Sequence, residues 1–153
     1  MANTSPIPSG FHTLTPHLIV NGASDAIEFY KKAFDAEEIS RMGGPNRKLM
    51  HAVIRVGGSL LMLADEFREW DTRSPKSIGG SAVTVHMYVE DADAVFNKAV
   101  EAGAKVLTPL DDQFWGDRYG KLEDPFGHIW AIATHKEDLS PADILARAPT
   151  MGL

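Results

Sequence analysis

The sequence predicts an α+β domain made of two tandem βαβββ modules, whose strands form a curled mixed sheet around a cavity. The first observation is that the order strand, helix, three strands occurs twice along the 153 residues. The second is a constant offset between the copies: Val20 and Val89 stand 69 positions apart, as do Gly58 and Gly127. Because strand, helix and final hairpin agree on one offset, we predict a duplicated module with a pseudo-twofold axis.

The first module begins with the apolar run 18–20, which is typical of a short buried strand. A helix follows, with Ser24 as its predicted N-cap. Its predicted inner face consists of Ala23, Ala26, Ile27, Tyr30 and Phe34. Strands are predicted at 38–42, 48–56 and 59–64, and Gly57-Gly58 is a two-residue hairpin signal.

The second module repeats this order with a predicted strand at 82–89 and a helix capped by Asp91. Gly103 stands where the end of a helix favours a left-handed residue. Strands are predicted near 105–107, 114–122 and 128–134. The turn 124–127, Asp-Pro-Phe-Gly, joins the last two.

These elements predict a flexible N-terminus at 1–12, a single domain at 13–137, and a C-terminal helix and tail at 138–153. Ser140 is the predicted N-cap of this helix. Within the domain, the modules span 13–65 and 82–135, and the linker spans 66–81. The linker is long for a structureless connection. The sequence leaves three interpretations of the linker: a lid, a crossover that lets modules pair between subunits, or a plain surface loop.

Composition narrows the classes of function. A formal net charge of −6 disfavours nucleic-acid binding, and no apolar run is long enough for a membrane span. Cysteine is absent, which excludes disulfides, thiolate nucleophiles and cysteine-based zinc sites. We expect a cytoplasmic protein, because the polar start of the chain has no signal-peptide pattern and the lack of cysteine fits a reducing compartment.

Several phrases carry a family resemblance over about 13–135. They are Ala26-Ile27-Glu28-Phe29-Tyr30 on the first helix, the Asp-Pro-Phe-Gly turn, and the segments 61–65, 88–91 and 113–120. The sequence resembles the glyoxalase/bleomycin-resistance/dioxygenase (vicinal oxygen chelate) superfamily, and within it the PhnB-like branch. The resemblance implies a divalent metal held by His, Glu or Gln on the first and fourth strands of each module. It also implies homodimers, with sites often built from halves of two subunits.

The metal positions implied by the resemblance fall on Thr15 and Met62 in the first module, and on Thr84 and Ala131 in the second. Both pairs keep the offset of 69. None of the four is a usual ligand of a catalytic divalent metal, because Met prefers soft metals and Ala has no donor. We therefore expect no metal cofactor, and glyoxalase I and extradiol dioxygenase activities are disfavoured.

His17 and His86 are also 69 positions apart, and strand alternation places each on the face of its vacated ligand position. We expect them to line the cavity. The alternative is a displaced divalent metal site made by His17, His51 and His86. The other histidines, His12, His128 and His135, are interpreted as surface or packing residues.

Trp115 and Arg118 suggest a ligand wall, with the indole for stacking and the guanidinium for a carboxylate. An internal Asp–Arg pair beside a core Trp is an equal alternative. Trp130 is predicted to be core. The acidic pair Asp65 and Glu66 is interpreted either as an acid/base pair or as solvated charge at a strand end.

The leading hypothesis is a metal-free homodimer that binds a small organic molecule in a cavity. Its predicted ligand-binding residues are His17, Met62, Thr84, His86, Trp115 and Arg118. A metal-dependent lyase, isomerase or dioxygenase using displaced histidines is the alternative. A dimerising interaction module is a third hypothesis.

Overall fold

The fold is given by a computed structural model, which describes residues 3–150. The first module contains β1 (His17–Val20), α1 (Ala23–Phe34), β2 (Glu37–Gly43), β3 (Leu49–Val56) and β4 (Ser59–Asp65). A short helix, α2 (Pro75–Ile78), lies in the linker. The second module contains α3 (Ala92–Ala102) and the strands β5 (Thr84–Tyr88), β6 (Lys105–Asp112), β7 (Asp117–Glu123) and β8 (Ile129–His135). The helix α4 (Pro141–Arg147) follows, and the predicted α+β duplication is confirmed.

The strands form two separate four-stranded mixed sheets, in the orders β1-β4-β3-β2 and β5-β8-β7-β6. In each sheet the first strand runs parallel to the last, and the other pairs are antiparallel. His17 pairs with Met62 in the first sheet, and His86 pairs with Ala131 in the second. The duplication therefore extends to strand register. Each module of the predicted fold thus contributes one four-stranded sheet, and neither sheet is closed.

The core lies where α1 and α3 pack against each other and against one face of their own sheets. Trp130 is 1% exposed, as its predicted core position requires. The opposite face of each sheet, which is turned away from α1 and α3, is here called the open face. The first open face carries His17 and Met62, and the second carries His86 and Tyr88. No helix within residues 3–150 is long and apolar enough to span a membrane.

The start of α1 corrects one prediction. Ser24 is not the N-cap, because the helix begins at Ala23 and Gly22 caps it with a left-handed φ of 101°. The Asp65 carboxylate accepts hydrogen bonds from the backbone N–H groups of Gly22 and Ala23, at 2.8 and 2.9 Å. In the second module, Thr134 Oγ1 accepts from the backbone N–H of Ala92 at 2.8 Å. Each helix is thus capped from the end of its module's last strand.

Side-chain contacts join the two modules. The Tyr30 hydroxyl donates to the Asp124 carboxylate at 2.5 Å, and Trp130 Nε1 donates to the same carboxylate at 2.9 Å. Burial and the neighbouring Asp124 raise the pKa of Tyr30 well above its usual value. His128 Nε2 lies 2.8 Å from the Ile19 carbonyl oxygen, so this predicted surface or packing residue also bridges the modules.

The linker and strand ends also differ from expectation. The linker holds a 3-10 turn at Arg68–Trp70, followed by α2. β6 runs on to Asp112, whereas β7 begins at Asp117 and not at 114, because Gly116 adopts a φ of 102° inside a turn. The C-terminal helix has its predicted N-cap at Ser140. Residues 1–2 of the predicted flexible N-terminus and 151–153 of the predicted tail lie outside the described residues.

Candidate ligand-binding site

A cavity of about 630 Å³ opens between the N-terminal segment, the β3–β4 hairpin and β5. This volume lies in the range usual for small-molecule sites. Buried side chains from both modules, including Phe34, Leu61 and Trp130, form apolar lining. Of the predicted ligand-binding residues, His86 lines this cavity. Residues 10–12, which were predicted to belong to a flexible N-terminus, line it too.

The first open face brings together His17, Met62 and His51. Parallel register sets Met62 beside His17, and the ring centroids of His17 and His51 are 5.6 Å apart at an interplanar angle of 83°. Partial desolvation of the ring lowers the pKa of His17, and the nearby His51 lowers it further. Two neutral imidazoles can each offer one nitrogen to a metal. Among residues 3–150, however, no three His, Asp or Glu side chains group in a way that could hold a metal ion.

The second open face carries a cluster of rings, here called the aromatic cluster, which consists of His86, Tyr88, Trp115 and Tyr119. The His86 centroid lies 4.6 Å from that of Tyr88 and 5.9 Å from that of Tyr119, onto which it stacks. Trp115 meets Tyr119 edge to face at 5.2 Å. Thr84 begins β5 on the same face as His86. Tyr88 is 64% exposed, and Tyr88 and His86 are the members of the cluster that also line the cavity.

Asp117 is a buried residue that holds two rings of the aromatic cluster by hydrogen bonds. Its carboxylate is 3% exposed and accepts hydrogen bonds from the Tyr88 hydroxyl at 3.0 Å and from Trp115 Nε1 at 3.2 Å. His135 Nδ1 lies 2.7 Å from the other carboxylate oxygen. Burial opposes ionisation, but these hydrogen bonds together hold the pKa of Asp117 below its usual range. Asp138 and Asp117 raise the pKa of His135, which was predicted to be a surface or packing residue.

Arg118 lies on the helix side of β7, which differs from the predicted position in the ligand wall. Its guanidinium donates to both carboxylate oxygens of Asp93 on α3, at 2.7 and 2.9 Å, and to Asp112 at 3.2 Å. The predicted alternative, an internal Asp–Arg pair beside a core Trp, also differs, because the partners are Asp93 and Asp112 and both are exposed. Trp115 and Arg118 are three positions apart, so side-chain alternation along the chain places them on opposite faces.

Asp65 and Glu66 are engaged in structural hydrogen bonds. Besides capping α1, Asp65 accepts from the backbone N–H of Leu49 at 2.7 Å and is 5% exposed. Glu66 accepts from the Ser74 backbone N–H at 2.7 Å and from the Ser77 hydroxyl. Neither the acid/base interpretation nor the solvated-charge interpretation of this pair fits these contacts.

Several residues of the second open face were not singled out from the sequence. Asp117, Tyr119 and Lys121 follow one another at every second position of β7, so they share the face that carries the aromatic cluster. Lys121 lies beside Ala131 of the neighbouring strand. Alternation from Trp115 places all three on its face, so this signal was present in the sequence.

The chain is similar in sequence to a known protein family and to individual proteins. The family model of the Glyoxalase/Bleomycin resistance protein/Dioxygenase superfamily matches residues 10–132. The uncharacterised protein Mb0911c of Mycobacterium bovis is 45% identical over 142 residues, which cover 91% of this chain and 93% of that protein. The uncharacterised protein At5g48480 of Arabidopsis thaliana is 36% identical over 118 residues, which cover 73% of this chain and 71% of that protein.

Solved structures of other proteins have a similar fold. The X-ray structure of the At5g48480 gene product superposes with a TM-score of 0.65 at 30% identity, covering 80% of this chain and 98% of that one. TioX from Micromonospora sp. ML1 has a TM-score of 0.65 at 23% identity, with coverage of 82% and 99%. A PhnB protein from Bacillus cereus has a TM-score of 0.61 at 20% identity, with coverage of 80% and 99%. The chain belongs to the glyoxalase/bleomycin resistance protein/dioxygenase superfamily.

Proposed function

We propose that this protein binds a small organic molecule without a metal ion, at the cavity and the aromatic cluster of the second open face. The observation that carries the proposal is that His86 and Tyr88 belong to both features, so that the apolar cavity and the exposed ring surface adjoin at these two residues. Apolar walls with a few placed polar groups are typical of small-molecule sites.

The residues at the four vacated metal positions support a site that works without metal. Ala131 is fully buried and offers no donor, and Met62 offers only a thioether beside His17. Hard divalent metals prefer carboxylate and imidazole ligands. Thr15 and Thr84 supply neutral hydroxyls, which suit hydrogen bonds to an organic ligand.

A homodimer is part of the proposal. β1 and β5 are outer strands of their sheets, and large apolar side chains on or beside the open faces are exposed: Met42 by 56%, Val83 by 68% and Tyr88 by 64%. Exposed apolar surface of this kind is typical of interfaces. We expect light scattering after gel filtration to give twice the monomer mass, and a monomer mass would contradict this part of the proposal. Cell fractionation tests the expected cytoplasmic location.

A thermal-shift screen of aromatic, cationic, anionic and thiol-conjugated compounds tests the binding function. A ligand at about 100 times its Kd stabilises the folded state by about 2.7 kcal/mol, which is readily detected. Hits should lose affinity with His86→Ala and Tyr88→Ala. They should keep it with Trp70→Phe, which changes an exposed aromatic residue of the linker. The proposal fails if no compound stabilises the protein, or if hits bind the His86 and Tyr88 variants unchanged.

The contact between His17 and His51 favours one second candidate, a metal-dependent lyase, isomerase or dioxygenase. Metal analysis of protein purified without chelator distinguishes the two functions. One equivalent of a divalent metal that is lost with His17→Ala, but kept with His12→Ala, would favour the enzyme. Metal-free protein that still binds a compound from the screen would favour the first proposal.

A further inference from the structure

Lys121 has an environment that sets it apart from the other cations of the chain. Among residues 3–150 it is the only Lys or Arg that is partly buried and has neither a carboxylate partner nor a hydrogen-bond partner. Glu123 follows on the same face but forms no ion pair with it. Arg118, the neighbouring cation on β7, is held by two carboxylates. An ammonium group that has no partner of its own can form a charge-assisted hydrogen bond, so Lys121 is suited to an anion from outside the chain.

Strand register aligns Lys121 with His86. Both residues pair with Ala131, Lys121 from the β7 side and His86 from the β5 side. Neighbouring strands lie about 4.8 Å apart, so the backbones of His86 and Lys121 are separated by about 10 Å, with only a methyl group between them. His86 and Lys121 therefore stand on the same face of the sheet, on either side of Ala131.

The aromatic cluster lies on the same face. Tyr119 lies two residues before Lys121, about 7 Å along the strand, and stacks on His86. A flat ring lying against the cluster therefore brings a substituent of that ring within reach of the Lys121 ammonium. Two acidic side chains beside the cluster are already engaged, since Asp117 accepts from Tyr88, Trp115 and His135, and Asp138 pairs with His135. Asp111, which lies beside Tyr119, and Glu123 form no ion pair among residues 3–150.

We propose that the second open face binds a planar aromatic carboxylate, whose ring packs on the aromatic cluster and whose carboxylate pairs with Lys121. This inference rests on the proposed small-molecule function and names the ligand class of that site. A cationic ligand would meet Lys121 and would find the Asp117 oxygens engaged, so that only Asp111, which is exposed, and Glu123, which lies beyond Lys121, could pair with it.

Isothermal titration with three probes of one shape tests the proposal: 2-naphthoate, 2-naphthylmethanol and 2-naphthylmethylammonium. A charge-assisted hydrogen bond should make naphthoate bind about tenfold tighter than the neutral alcohol. Lys121→Met should remove this preference and Lys121→Arg should keep it. Lys105→Met, which changes an exposed lysine of the same sheet, should leave it unchanged. Thermal melts confirm that the variants fold.

The outcomes separate this inference from the proposed function. If the three probes bind equally, if Lys121→Met keeps the preference, or if the ammonium probe binds tightest, the carboxylate inference is overturned while small-molecule binding stands. If none of the probes binds but the wider screen yields a ligand at His86, the ligand class is again refuted alone. Only a failed screen also removes the proposed function.

Discussion

Replacing Asp65 with Ala tests the hydrogen bonds by which the end of β4 caps α1. The substitution leaves three backbone N–H groups, those of Gly22, Ala23 and Leu49, without their acceptor. Each lost hydrogen bond to a buried charged group costs about 1–3 kcal/mol. Since Gly22 is only partly buried and can recover a bond to water, we expect a total loss of about 4 kcal/mol in the free energy of unfolding. That is a large part of the stability of an ordinary domain.

Urea unfolding followed by far-UV circular dichroism measures this loss. Ser24→Ala is the matched control, because a true N-cap would cost about 1 kcal/mol, whereas Ser24 only accepts from the exposed guanidinium of Arg41 at 3.3 Å. We expect Ser24→Ala to change stability by less than about 0.5 kcal/mol. A Ser24→Ala variant less stable than Asp65→Ala, or an Asp65→Ala loss below about 1 kcal/mol, would refute the assignment of the cap to Asp65.

Three further results are expected. Tyr30→Phe removes the 2.5 Å hydrogen bond to Asp124 and should lower the free energy of unfolding by about 1–2 kcal/mol; unchanged urea melts would contradict the bridge. Gly120→Ala would place a Cβ 2.5 Å from Phe96 Cε2, and this overpacking should lower the free energy of unfolding by about 1–3 kcal/mol. A variant as stable as the wild type in thermal melts would contradict this expectation. Folding lowers the pKa of His17, so at a pH just below about 6.5 the unfolded chain binds more protons than the folded protein. The free energy of unfolding should therefore decrease as the pH falls below that value. His17→Gln should remove this part of the pH dependence in thermal melts, and an unchanged profile would exclude His17 as its source.

The modular plan was predictable because it depends on local patterns. The apolar period of α1, the Asp91 cap of α3 and the glycine turns are each encoded within a few residues, and the repeated offset then fixes the topology. The α1 cap was not predictable in this way, because its acceptor, Asp65, lies at the end of β4. The contacts that join the modules were not predictable either, since the offset relates the modules without saying how they pack.

The site was predicted less well than the fold, for a related reason. His86 and Trp115 belong to the aromatic cluster, but Arg118 lies on the other side of its strand. Trp115 and Arg118 are three positions apart, so alternation along the chain places them on opposite faces, and one ligand wall made by both was inconsistent with a strand through both residues. Asp117 was considered only as a partner of Arg118, and Lys121 was assigned no role, because a single lysine on a strand has no sequence signature of its own.

The two unconnected sheets have a consequence for how the chain folds. All strands of the first sheet come from 17–65 and all strands of the second from 84–135, so each sheet can form from a continuous stretch of the chain. The contacts that join the halves, Tyr30 with Asp124 and His128 with Ile19, span far longer separations. Short loops close before long ones, because closure entropy grows with length. Docking of two preformed halves is therefore the expected last event of folding, and substitutions at the joining contacts should speed unfolding while leaving the folding of each half unchanged.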